Sequence, residues 1–167
     1  MKTGLYTGRF QPFHLGHLSA IQQALSEVDF LIIGIGSTQY SHTADNPFTT
    51  EERMTHIHDA LLENGISEDQ FKIIPIPDIH NNPKWPSHVQ TLTPPFDRIF
   101  VGENNLVKEL FEKYTDIPVK IVQKEIDICA TDVRKTMLEG GDWGKYLSES
   151  TIEHLEKMDG IKRIKKV

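Results

Sequence analysis

A chain of 167 residues with 38% hydrophobic content can bury a real core, and residues 1–167 read as one domain. A formal net charge of −6 argues against the broad basic surface of a nucleic-acid binder, so any anionic ligand must be held in a local pocket. The single cysteine, Cys129, excludes an intrachain disulfide and a multi-cysteine metal site, and the longest apolar run, Phe30 to Ile35, is far too short to cross a membrane; a soluble, cytoplasmic protein is expected.

GLYTG opens the chain as a strand, and Leu15 to Glu27 follows with helical apolar spacing. FLIIGIG is a second strand. Thr50 to Glu63 is a second helix, with a capping box expected between Thr49 and Glu52 and a left-handed stop at Asn64-Gly65. FKIIPIP, DRIFVG and PVKIV read as three further strands, with a helix over Asn104 to Tyr114 between the last two. Thr131 to Glu139, closed by Gly140-Gly141, and Ser148 to Met158 complete the helices, and GIKRIKKV is expected as a solvated basic tail. The alternation predicts an α/β fold: a doubly wound, Rossmann-like parallel sheet of about five strands, with helices on both faces and the C-terminal helices packed on it. Six of the nine prolines fall between Pro75 and Pro95, so IPDIHNNPKWPSHVQTLTPP is expected as a long surface connection with one helical turn around His88 to Leu92. Loops of that length are usually functional.

In open α/β sheets ligands sit beyond the carboxyl ends of the strands, and TGRFQPFHLGH occupies that place after the first one. A helix N-terminus there suits phosphate, His14 and His17 lie one turn apart on one side, Gly16 lets an anion or another backbone come close, and Arg9 adds a bidentate donor. Taken singly, each histidine could equally be a surface or satisfied core residue, and a zinc pair lacks further ligands nearby. Late in the chain, ICATDVRKTM repeats the theme: Thr131 is expected to cap a helix whose first turn carries Arg134.

GRFQPFHLGH resembles the signature of the nucleotidyltransferase superfamily with the HxGH motif. GIGSTQYSHTADNPFTTEER, the tryptophan loop and LTPPFDRIFVG together are similar to its archaeal-type nicotinamide-nucleotide adenylyltransferase branch, from Gly4 to about Ile164. The resemblance implies transfer of AMP from ATP to nicotinamide mononucleotide, giving NAD and pyrophosphate, with Mg²⁺ accompanying ATP and a symmetric assembly of like chains. It implies His14, His17, Arg9 and Arg134 as the catalytic groups and Gly8, Phe10, Gly16, Gly102, Asn104 and Thr131 as ATP contacts. It also implies Ser37, Gln39, Asp78, Asn82 and Trp85 as the pocket for the mononucleotide, with the indole as a stacking face for the pyridine ring. A phosphate-bound histidine is expected to stay protonated to higher pH than a free one. The chain departs from the branch at Cys129, Ala130 and Asp45, where a serine, a glycine and a basic residue are usual. Two other readings stay open: a superfamily enzyme acting on phosphopantetheine, FMN or a phosphoalcohol, and a nucleotide sensor without turnover.

Overall fold

A computed structural model describes residues 1–102 and 105–167. Five strands, β1 (Thr3–Gly8), β2 (Phe30–Ile35), β3 (Phe71–Pro75), β4 (Arg98–Val101) and β5 (Val119–Ile121), form one parallel sheet in the order β3-β2-β1-β4-β5. The strand order turns back between β1 and β4, which opens a crevice there at the carboxyl ends.

Side-chain alternation sends each strand to both faces. Tyr6, Leu31, Ile33, Ile35 and Phe100 meet α1 (Leu15–Leu25) and α2 (Thr50–Glu63) on one face through Ile21, Ala24, Ile57 and Leu61. Leu5, Ile32, Ile74 and Ile99 meet α3 (Trp85–Leu92) and α4 (Leu106–Tyr114) on the other through Val89 and Phe111. A fully buried side chain such as Ile32 is worth roughly 1.5–3 kcal/mol in removed apolar surface. The near-continuous apolar runs of β1 and β2 are therefore what a strand covered on both faces needs.

α5 (Ala130–Leu138), α6 (Glu149–Lys157) and α7 (Gly160–Lys166) build a third cluster with Phe48 around Val133, Met137, Leu155 and Ile164. They reach the sheet domain along α2, against which α6 lies. No described helix is long and apolar enough to cross a membrane.

Four local expectations change. The capping box at α2 is half made: Thr49 Oγ1 accepts from the Glu52 N–H at 3.1 Å, but the Glu52 carboxylate is engaged by Arg163. That ion pair and the buried Ile164 turn the expected basic tail into α7, so its charges ride on a helix with one apolar side. In the proline-rich connection a 3-10 turn over Asn82–Lys84 leads into a helix that already starts at Trp85. Proline is tolerated in a first helical turn, where its missing N–H has no partner to lose, so Pro86 does not delay the helix. Thr131 lies inside α5, whose N-cap is Cys129.

Candidate active site

The loop after β1 sets the geometry. His14 is the N-cap of α1, and its Nδ1 accepts from the Gly16 N–H at 3.0 Å and the His17 N–H at 3.3 Å. His17 Nδ1 in turn accepts from the His14 N–H at 3.2 Å. Two imidazoles thus form a reciprocal capping box, a task normally given to Ser/Thr and Glu/Gln. Their rings stack 3.6 Å apart, and His17 also meets Phe10 edge-on at 4.8 Å and Phe13 at 5.5 Å.

The chemical consequence is a fixed tautomer. A ring nitrogen that accepts an N–H carries no proton, so the neutral rings hold theirs on Nε2. Burial, with a smaller push from Lys124, lowers His14 to about 4, and burial, then His14, pulls His17 well below its ordinary value. Without phosphates beside them, both are neutral at pH 7. Protonation would fall on Nδ1 and remove the cap, so the geometry favours neutral Nε2–H donors.

Gly16 makes room for the His14 ring: a Cβ there would stand 2.8 Å from His14 Cε1 and 3.0 Å from its Nδ1. Phe10 is 1% exposed with its φ at 56°, and its ring supports His17 from the core; its side chain is not a ligand contact.

Two cavities open beside this loop. The first, about 420 Å³, lies over the β4 and β5 ends and is lined by His14, Gly16, His17, Gly102, Lys124 and Cys129, among others. The second, about 490 Å³, lies over the β2 and β3 ends and includes Gly8, Arg9, Ser37, Asp78, Asn82 and Trp85. Gly8 and Arg9, expected beside the histidines, face this second cavity. Asn104 lies outside the described residues.

Arg134 joins the two halves of the expected clamp through the main chain. Its Nη1 donates to the Gln11 carbonyl at 2.8 Å, and it is buried, with its pKa lowered by desolvation and then by Arg9. Thr131 is exposed and touches Arg134 only at 3.5 Å. The N-cap of α5 has no side-chain hydrogen bond to the helix, and the Cys129 thiol turns to Asp132 Oδ2 at 3.1 Å.

In the second cavity Asp78 accepts from Ser37 Oγ at 2.8 Å, while the Gln39 amide grips the Asp78 backbone with two 2.9 Å bonds. Gln39 therefore acts on Asp78 and is not among the lining residues. Trp85 packs edge-on against Phe111 at 6.1 Å yet still lines the cavity, so it belongs to core and site at once. Tyr40 Oη and His80 Nε2, 2.8 Å apart, tie the same two loops further out.

The sequence reading missed two buried groups. Gln11, 1% exposed, pairs with both main-chain groups of Phe48 at 2.9 and 3.1 Å, and Arg53 is the largest fully buried side chain of the chain. Neither stands out in sequence, because a polar residue in a loop and an arginine in an amphipathic helix are ordinarily solvated.

Residues 5–136 match the cytidylyltransferase-like family. The chain is 45% identical over 166 residues to the nicotinamide-nucleotide adenylyltransferase of Thermococcus onnurineus, covering 98% of this chain and 87% of that protein. It is 42% identical over 168 residues to the protein of the same name from Archaeoglobus fulgidus, covering 97% and 95%. A solved bifunctional NMN adenylyltransferase/ADP ribose pyrophosphatase from Francisella tularensis, complexed with AMP and a manganese ion, superposes with a TM-score of 0.81 at 25% identity. It aligns with 98% of this chain, which spans about half (51%) of that longer one.

Proposed function

The chain belongs to the cytidylyltransferase-like family, and from that premise we propose that it is a nicotinamide-nucleotide adenylyltransferase, moving AMP from ATP to nicotinamide mononucleotide and releasing pyrophosphate. The observation that carries this reading is the pair of cavities flanking one loop: a donor-lined one at two helix starts and an aromatic, amide-lined one beside it.

ATP takes the cavity with His14, His17, Gly102 and Lys124, its phosphates turned to the start of α1. The mononucleotide takes the cavity with Trp85, its pyridine ring on the indole, its carboxamide toward Asn82 and a ribose hydroxyl toward Asp78. A phosphate oxygen of the mononucleotide attacks the α-phosphorus of ATP. The new P–O bond forms as the bond to the bridging oxygen breaks, and that electron pair leaves on pyrophosphate. The attacking phosphate is already an anion, so no general base is needed, and Nδ1 of each histidine is in any case occupied. His17 and His14 donate Nε2–H bonds to charge growing on the phosphates, and Arg9 and Arg134 add fixed positive charge.

Among the described residues no three His, Cys, Asp or Glu side chains converge as a metal cage. The lining carries Lys124 and Glu125 beside the two neutral histidines, so a divalent ion, Mg²⁺ in our reading, would arrive on the triphosphate's own oxygens and neutralise part of the nucleotide charge. We read residues 1–167 as one nucleotidyltransferase domain, working as a symmetric assembly of like chains.

The test is an acceptor panel with ATP and Mg²⁺, followed by pyrophosphate release. NAD should appear with nicotinamide mononucleotide. Release with phosphopantetheine, FMN or a phosphoalcohol but none with the mononucleotide would reassign the acceptor, and nucleotide binding without any release would mark a sensor.

A further inference from the structure

Arg53 is 0% exposed, and its guanidinium spends all five N–H groups on neutral acceptors. Nε donates to the Thr49 carbonyl at 3.2 Å, and Nη1 to the carbonyls of Arg9 and Gly36, both at 2.8 Å. Nη2 donates to the Ser37 carbonyl at 3.4 Å and to Thr50 Oγ1 at 3.3 Å. Among the described residues no carboxylate pairs with it directly: Glu52, its neighbour, is engaged by Arg163 and acts on Arg53 only through its field. Desolvation, then Arg9, lowers its pKa to about 10, which leaves it charged at neutral pH.

The acceptors are the loop ends of β1 and β2, and Arg9, Gly36 and Ser37 all line the acceptor cavity. In a planar trans peptide the N–H points opposite to the C=O. Turning the Arg9 and Gly36 carbonyls toward Arg53 therefore aims the N–H groups of Phe10 and Ser37 away from it. Neither donates to an acceptor among the described residues. Two N–H groups without a protein acceptor, on peptides held by a buried guanidinium, can make a seat for an anion.

We propose that Arg53 is a positioning residue for the acceptor: it holds the two peptides between β1 and β2 that receive the phosphate of the mononucleotide. This rests on the functional reading above. Arg53 touches no substrate itself, and Thr50, whose hydroxyl also donates to the Thr38 carbonyl at 3.0 Å, steadies it from α2.

The experiment compares steady-state constants of the full chain with Arg53→Lys, which keeps a charge but cannot bridge both loops, and Arg53→Met, which removes both. In the folded fraction, KM for nicotinamide mononucleotide rises about tenfold or more in Arg53→Lys and further in Arg53→Met, while KM for ATP stays within about threefold. A lowered Tm with both KM values unchanged would make Arg53 merely structural and overturn the proposal. Because either variant could fail to fold, the wild type supplies a second readout: ¹⁵N-resolved amide signals of Phe10 and Ser37 shift downfield on titration with the mononucleotide. Unmoved signals in a wild type that makes NAD overturn the proposal alone, whereas a wild type that makes none overturns the functional reading.

Discussion

Two helix starts face the cavity over the β4 and β5 ends, and they are built in opposite ways. At α1, His14 and His17 cap each other, stack on each other and rest on Phe10 and Phe13, so the donors stand in place before any ligand arrives. At α5 the N-cap side chain makes no bond to the helix, the Cys129 thiol faces Asp132, and Arg134 is already committed to the Gln11 carbonyl. The first half is preorganised, and the second leaves its first N–H groups for an anion to complete. Preorganised donors are most valuable where charge develops in the transition state, and on that ground we propose the chemistry for the histidine side.

The largest effect expected from breaking that comparison is His17→Ala. It removes one donor and one half of the cap, and kcat should fall by roughly 10²–10³-fold, with KM for ATP much less changed; a loss confined to KM would move His17 from transition-state stabilisation to ground-state binding.

Acid should undo the histidine half next. His14 and the buried His56 titrate near 4 in the folded chain against an ordinary 6.5, so the unfolded chain binds more protons between those values. Stability is then fully present above about 6.5 and is lost as pH falls toward about 4, on the order of a few kcal/mol, readable from urea unfolding at stepped pH. A stability that rose on acidification through that window would contradict the neutral assignment.

Gly16→Ala tests the room under the His14 ring. With a methyl group 2.8 Å from Cε1, the ring must shift and the cap weaken, costing about 1–2 kcal/mol of stability and lowering kcat with it. An unchanged Tm and kcat would show that the ring tolerates displacement.

The smallest change sharpens the other half. Cys129 already has the extended backbone of an N-cap, with φ −131° and ψ 161°, so Cys129→Ser should cap α5, add about 0.5–1 kcal/mol by thermal unfolding and lower KM for ATP by a few fold. No gain would mean that the Asp132 contact fixes this side chain whatever its chemistry.

How much of this could be read beforehand follows from the range of each interaction. β1 and β2 were legible because both faces are covered and the runs are continuously apolar, and α2 was legible to the residue because Thr49 and Gly65 mark its ends. The histidines and Arg134 were legible as residue types in a strand–loop–helix context. What failed needed partners distant in sequence: α7 depends on Arg163 meeting Glu52 111 residues away, and Arg134 on the Gln11 carbonyl 123 residues away. The proton positions were not legible for a related reason, since spacing gives the two rings one side but not the reciprocal acceptance that fixes each proton on Nε2.

The preorganised neutral pair is tested most directly by ¹⁵N spectra of the histidine side chains at pH 7, with and without ATP and Mg²⁺. For His14 and His17 an unprotonated Nδ1 and a protonated Nε2 are expected in both states. Shifts characteristic of imidazolium on either ring, free or bound, would contradict it.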